Sequence, residues 1–152
     1  MNAKKGFTLI ELLIVIALLG VLALLAIISL GNIKEKYRDA ERLNDMDILR
    51  TALQNVKDEY GLYEPNLGCS VGAIVGDCVA SRLQEILPPV KNLIDPRGTV
   101  SCDSDCSMEC AYAFSVLTPE TYEVKFYLEK GTVDFQGAGC YVLSPSGITK
   151  AK

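Results

Sequence analysis

The chain opens with Lys4-Lys5-Gly6-Phe7-Thr8-Leu9-Ile10-Glu11 and runs from there into an apolar block that ends at Leu30. Within Phe7–Leu30, Glu11 is the only charged residue. As a helix rising about 1.5 Å per residue, this block spans ~36 Å, enough to cross a hydrocarbon core of ~30 Å. A carboxylate inside such a helix is costly and is expected to serve a purpose. Lys4 and Lys5 place the N-terminus on the cytoplasmic side by the positive-inside rule, and everything after Leu30 outside.

A secretory signal peptide also combines a basic start with an apolar run. Its core is usually shorter and is followed by a small-residue cleavage site. Here Gly31-Asn32-Ile33-Lys34-Glu35-Lys36 follows, which is a poor match. A plain membrane anchor explains the length of the run but not Glu11. If the chain is cut after Gly6, the new amine of Phe7 stands four positions before Glu11. The amine of one subunit can then meet the carboxylate of another, which offsets the desolvation cost only when subunits stack. The blander reading is a lone polar residue reaching for the interface.

Bulk composition narrows the rest. The 152 residues hold six cysteines, no histidine and a net charge of −4. Removing residues 1–6 takes away two lysines and leaves a more acidic body. That balance argues against nucleic-acid binding by bulk charge. Without histidine or a Cys-x-x-Cys pair, zinc-finger and histidine-ligated metal sites are not expected. Neither a nucleophile-elbow pattern nor a Gly-rich phosphate loop is present. No catalytic residue, cofactor or metal is therefore expected, and the chain does not read as an enzyme.

Beyond Leu30 the sequence stays helical. Ile33, Tyr37, Ala40, Leu43, Met46, Leu49, Leu53, Val56 and Tyr60 recur at spacings of three and four, one face of a 3.6-residue period. Lys34, Glu35, Arg38, Asp39, Glu41, Arg42, Asp45 and Lys57 fall elsewhere and read as a solvated face, or alternatively as ion pairs between subunits. Gly61 closes the helix. Residues 62–110 read as an irregular connection with a short helix over Val79–Leu87, capped by Asp77 and stopped by Pro88-Pro89. Strand alternation follows. Tyr112, Phe114 and Val116 alternate before a turn at Pro119-Glu120. Tyr122, Val124, Phe126 and Leu128 alternate against Glu123, Lys125 and Glu129. After Lys130-Gly131, Val133 and Phe135 are expected to continue as a strand, and Tyr141–Leu143 adds a fourth. The helix stripe is the simplest partner for the buried sheet face. The fold class is thus α+β.

Residues Lys5-Gly6-Phe7-Thr8-Leu9-Ile10-Glu11-Leu12-Leu13-Ile14-Val15 resemble the class III signal of type IV pilins and pseudopilins. The resemblance is dense over residues 4–20. It implies cleavage by a prepilin peptidase between Gly6 and Phe7, with Lys5 beside the cut, and N-methylation of Phe7. It also implies that Phe7 and Glu11 recruit neighbouring subunits. Gly20 falls where relatives often carry a helix-loosening glycine. Many relatives also carry a proline in this block, and none occurs here. The implied architecture is the type IV pilin fold, a long N-terminal helix laid on a three- or four-stranded antiparallel sheet.

The expected organisation is a leader at 1–6, a transmembrane and assembly helix at 7–30, and a globular head at 31–152. The expected function is a structural subunit, the major pilin of a type IV pilus used for adhesion, motility or DNA uptake. The alternative is a pseudopilin of a type II secretion or competence system. The implied partners are identical subunits in a helical filament, the prepilin peptidase, an assembly ATPase and a platform protein. The membrane is a partner before assembly, and nucleic acid only through the finished fibre. The expected location is the cytoplasmic membrane and then the cell surface.

Cys69, Cys78, Cys102, Cys106, Cys110 and Cys140 all lie in the exported part, where an even count favours disulfides. The preferred set joins Cys69 to Cys78, ties Cys140 to one member of the 102/106/110 cluster and joins the other two. An iron–sulfur or other metal site at that cluster is the less favoured reading. Asp103, Asp105 and Glu109 read as a solvated acidic loop, with a calcium site as the alternative.

Overall fold

The computed structural model describes residues 6–63, 67–78, 83, 85 and 92–151, except for the side chains of residues 26–30. It divides into two compact units, Met1–Glu35 and Lys36–Lys152. Helix α1, Leu9–Tyr60, begins in the first unit and ends in the second.

In the first unit Thr8 starts the helix. Its Oγ1 accepts the backbone N–H of Glu11 at 3.3 Å, and its carbonyl accepts that of Leu12 at 3.3 Å. The hydroxyl thereby satisfies one of the donors that a helix start leaves open. The described side chains from Leu9 to Leu25 are exposed on every face. A helix that is apolar all round needs an apolar surrounding, not a single buried stripe. It passes through Gly20 and Gly31 without a break, and a Cβ at either would meet nothing within 4 Å.

In the second unit α1 turns one face inward. Met46, Leu49, Ala52, Leu53 and Val56 are buried at the three-and-four spacing the sequence shows. Removing each larger side chain from water contributes roughly 1.5–3 kcal/mol. The helix ends at Tyr60, where Gly61 adopts φ 77° and donates its N–H to Lys57 O at 2.8 Å. A left-handed residue after the last turn is a common helix stop.

Four strands, β1 Ala113–Leu117, β2 Tyr122–Leu128, β3 Gly139–Ser144 and β4 Gly147–Lys150, form one antiparallel sheet in the order β1-β2-β3-β4. In β2, Tyr122, Val124, Phe126 and Leu128 are buried while the residues between them are partly open, as alternation predicts. They pack with Tyr112, Phe114, Tyr141 and Leu143 against the α1 stripe to form the core. The pairing of β1 with β2 shifts between Phe114 and Val116.

Three expectations are corrected. Val133 and Phe135 do not form a strand. The chain leaves β2 into a tight loop in which Thr132 N–H donates to Phe135 O at 2.8 Å, and a single bridge joins Gly131 to Gln136. Tyr141–Leu143 belongs to the third strand, and the last strand is Gly147–Lys150, whose single large apolar residue, Ile148, gives no alternation to read. On α1, Ile33 and Tyr37 stay exposed, and the buried row starts instead with the charged pair Asp39 and Arg42. The expected helix Val79–Leu87 lies outside the described residues, apart from Leu83 and Glu85, both helical.

The structure joins Cys69 to Cys78, Cys102 to Cys110 and Cys106 to Cys140. The last closes the longest loop, a separation of 34 residues against 8 and 9 for the others. By chain entropy the long closure contributes about 4 kcal/mol and each short one about 2.5 kcal/mol. Replacing Cys106 and Cys140 together by alanine should therefore lower the urea midpoint more than replacing Cys102 and Cys110 together. Equal or reversed losses would contradict this ranking.

Candidate assembly site

The predicted N-terminal residues fall in the first unit. Lys5 lies outside the described residues. Gly6 and Phe7 precede the helix, and Phe7 is 80% exposed. Glu11 sits in the first helical turn, where an acidic side chain complements the helix dipole. Its N–H is spent on Thr8, but among the described residues its carboxylate has no hydrogen bond or ion pair. Thr8 is a site residue that the sequence reading missed. The signal was present in Thr8-Leu9-Ile10-Glu11, the Thr-x-x-Glu spacing of a capping box. A cut between Gly6 and Phe7 would remove nothing that this cap uses.

Among the described residues, no helix is long and apolar enough to cross a membrane. The described apolar side chains stop at Leu25, and Leu9–Leu25 would rise only about 26 Å. Spanning length is reached only when the sequence is read on to Leu30.

In the second unit the Cys102, Cys106 and Cys110 sulfurs lie within 4.8 Å of one another. All three are held in disulfides, so none offers a thiolate to a metal ion. The three acidic loop residues have separate partners. Asp103 Oδ1 meets Lys125 Nζ at 3.1 Å, Asp105 Oδ1 accepts the Ser107 N–H at 2.9 Å, and Glu109 Oε1 meets Arg97 Nη1 at 3.1 Å.

The charged helix face differs most from its sequence reading. Arg38, Asp39, Arg42 and Asp45 turn into the head instead of toward water. The Arg42 guanidinium is fully buried. It donates to both oxygens of Asp95 at 2.6 and 3.1 Å, to Asp39 at 2.9 Å and to Glu129 at 2.7 Å. Burial alone would lower its pKa, but these carboxylates outweigh it and the pKa is raised. Arg38 grips both oxygens of Glu129. Asp39 accepts the backbone N–H groups of Glu129, Lys130 and Gly131 at 2.9, 2.8 and 2.9 Å. Asp95 accepts those of Arg97 and Gly98 at 2.9 and 2.6 Å. One cluster thus binds α1 to the loops after β2 and around residue 95. Every buried charge in it is hydrogen-bonded, as burial requires.

Two carboxyls here shift in opposite directions. Hydrogen bonds from Arg38 and then Arg42 hold Glu129 down at about 2, against the opposing effect of burial. Burial pushes Asp45 up to about 6, and Glu41 and Asp95 add like charge, although the Tyr112 hydroxyl donates to it at 3.0 Å. The stability contributed by Glu129 is present above its unfolded value of 4.5 and is lost as pH falls toward about 2. Asp45 acts in reverse. Its contribution is greatest below 3.8 and is lost as pH rises through about 6. For these two groups stability should peak near pH 4 and decline toward neutrality, by on the order of 1 kcal/mol since some of Asp45 remains in reach of water. Thermal melting from pH 4 to 8 checks this. Asp45→Asn should flatten the neutral side, and an unchanged slope would refute the assignment.

Residues 1–27 match the family model described as the prokaryotic N-terminal methylation motif. No curated protein and no solved structure matches the chain.

Proposed function

We propose that this chain, whose residues 1–27 match the prokaryotic N-terminal methylation motif, is a type IV pilin or pseudopilin and, of the two, a major pilin that polymerises through its N-terminal helix into a surface fibre. The observation that carries the reading is a helix exposed on all its apolar faces from Leu9 to Leu25 and interrupted only by the carboxylate of Glu11. In this reading residues 1–6 are a leader facing the cytoplasm, and residues 7–30 hold the precursor in the membrane as a single pass. A prepilin peptidase cuts between Gly6 and Phe7, with Lys5 beside the cut, and Phe7 is then methylated. Glu11 accepts the amine of Phe7 from a subunit already in the fibre. An assembly ATPase acting through a platform protein moves the fibre outward.

The apolar helix then exchanges acyl chains for identical helices. Its surroundings stay apolar, so the exchange costs little, and the charge pair is what distinguishes a neighbour from lipid. The head supports the same role. Its three disulfides and its buried ion cluster leave a compact body suited to repeat in a fibre, and the motif supports the reading of a structural subunit.

The unreduced intact mass of protein sheared from cells tests the proposal. Residues 7–152 plus one methyl group and minus six hydrogens are expected. Processed protein that stays with the membrane and is missing from the sheared fraction would favour a pseudopilin. An attached leader would refute the processing scheme.

A further inference from the structure

We propose that Cys140 is a site of reversible S-thiolation by low-molecular-weight thiols, and that Cys102, Cys106 and Cys110 form a relay that carries the released thiol into the interior of the head. The three relay sulfurs lie within 4.8 Å of one another although they belong to two different disulfides. Exchange proceeds by attack of a thiolate on a disulfide sulfur, so a thiolate freed at one of these positions has a target beside it. The two bonds are unequally open. Cys102 and Cys110 are each 1% exposed, whereas Cys106 and Cys140 are half-buried. An outside thiol therefore meets the Cys106–Cys140 bond first, because exchange also depends on access. Cys106 packs against the buried sulfurs, which leaves Cys140 as the end to be attacked.

The first step forms a bond from the incoming sulfur to Cys140 and breaks the Cys106–Cys140 bond. The electron pair leaves on Cys106 as a thiolate. In the second step that thiolate attacks Cys102 or Cys110. A bond forms from Cys106 to the sulfur attacked, the Cys102–Cys110 bond breaks, and the other member of that pair leaves as the thiolate. Each step exchanges one disulfide for another, so no further oxidant or reductant is needed. Reversal returns the thiolate to Cys106. It then attacks the mixed disulfide at Cys140, expels the small thiolate unchanged and closes the bond again.

The loop around the relay is built to keep its shape when Cys140 is detached. Ala111 N–H donates to Val100 O at 2.7 Å and Cys102 N–H to Ala111 O at 2.9 Å, so the two arms of the loop stay joined. Ser104 and Asp105 N–H both donate to Ser101 O, at 3.0 and 3.3 Å, and turn the chain between Cys102 and Cys106. Asp103 Oδ1 meets Lys125 Nζ on β2 at 3.1 Å. Ala113 and Tyr127 cover the sulfurs from the sheet. None of these contacts uses Cys140. Cys69 and Cys78 belong with the other buried cluster and stand outside the relay.

Cys140→Ser in the full chain leaves one free thiol, which the native pairing places at Cys106. The purified variant would be held in mildly alkaline buffer without oxygen, then quenched and unfolded in acid, alkylated with N-ethylmaleimide and digested for peptide mass analysis. The label should divide among the three relay positions, with more than about a tenth of it on Cys102 and Cys110 together. Label confined to Cys106 overturns the relay. The natural chain, treated with reduced glutathione and processed in the same way, gives a second reading that needs no substitution. Glutathione is expected on Cys140 and the maleimide partly on Cys102 or Cys110. No adduct, an adduct on Cys106, or an adduct on Cys140 with all the label on Cys106 overturns the proposal. Adduct or label on Cys69 or Cys78 overturns it too, because exchange would then not be confined to the cluster.

Discussion

Replacing Arg42 with methionine should destabilise the head by about 3–5 kcal/mol, the cost of leaving buried carboxylates without their cation. Among the described residues, the guanidinium is the only partner that reaches Asp39, Asp95 and Glu129 together. Without it, Glu129 keeps Arg38, and Asp39 and Asp95 keep their backbone N–H donors. Those dipoles do not balance a full charge in a site closed to water. Urea titration of the full chain in detergent, followed by tyrosine near-ultraviolet dichroism, measures the loss. A second result should accompany it. The variant should recover stability as pH falls, because the stranded carboxyls can then bind protons. Adding Asp95→Asn to Arg42→Met should restore part of the loss, since the amide oxygen can still accept the Arg97 and Gly98 N–H groups. A loss below about 1 kcal/mol would place the cluster with exposed ion pairs, which contribute little.

The same cluster shows where the sequence was hard to read. Arg38, Asp39, Arg42 and Asp45 have the composition of a wet helix face, and charge is the usual mark of exposure. Their partners, Asp95 and Glu129, lie 53 and 87 residues from Arg42 and carry no local pattern that links them to α1. What was legible is the row they extend. Positions 39, 42, 46, 49, 53 and 56 keep the three-and-four spacing, so the buried face simply changes from apolar to charged at one end. Strand β2 was readable because one face is wet and one dry along its whole length. The loop after it was misread because Val133 and Phe135 alternate like a strand, while its true determinant is Asp39, some ninety residues away. At the N-terminus the methylation motif itself was legible in residues 4–20. The capping role of Thr8 is hidden there because the same four residues carry the costlier signal, a charge in an apolar helix.

That double use of the Thr8–Glu11 pair sharpens the second large expectation. Glu11→Ala should leave membrane insertion intact, since it removes a charge whose burial in a helix centre costs about 2.5–3.5 kcal/mol. It should nevertheless abolish fibre recovery from the cell surface. Alanine alone does not identify the cause, because a glutamate three residues after a threonine can also support the helix start. Glutamine separates the two roles. It preserves the capping-box spacing and a hydrogen-bond acceptor but carries no charge. If Glu11 serves to meet the Phe7 amine of a neighbour, Glu11→Gln should fail nearly as badly as Glu11→Ala. A neutral amide facing an ammonium group leaves the cation uncompensated in an apolar fibre core. If Glu11 serves only the helix start, Glu11→Gln should assemble like the natural chain. Thr8→Val then supplies the converse. It removes the hydroxyl that accepts the Glu11 N–H, at a cost of about 1 kcal/mol of helix stability, but leaves the carboxylate free to pair. Shearing yield should fall modestly for Thr8→Val and collapse for both Glu11 variants. The opposite order would assign this turn to helix initiation and remove the charge pair from the assembly mechanism.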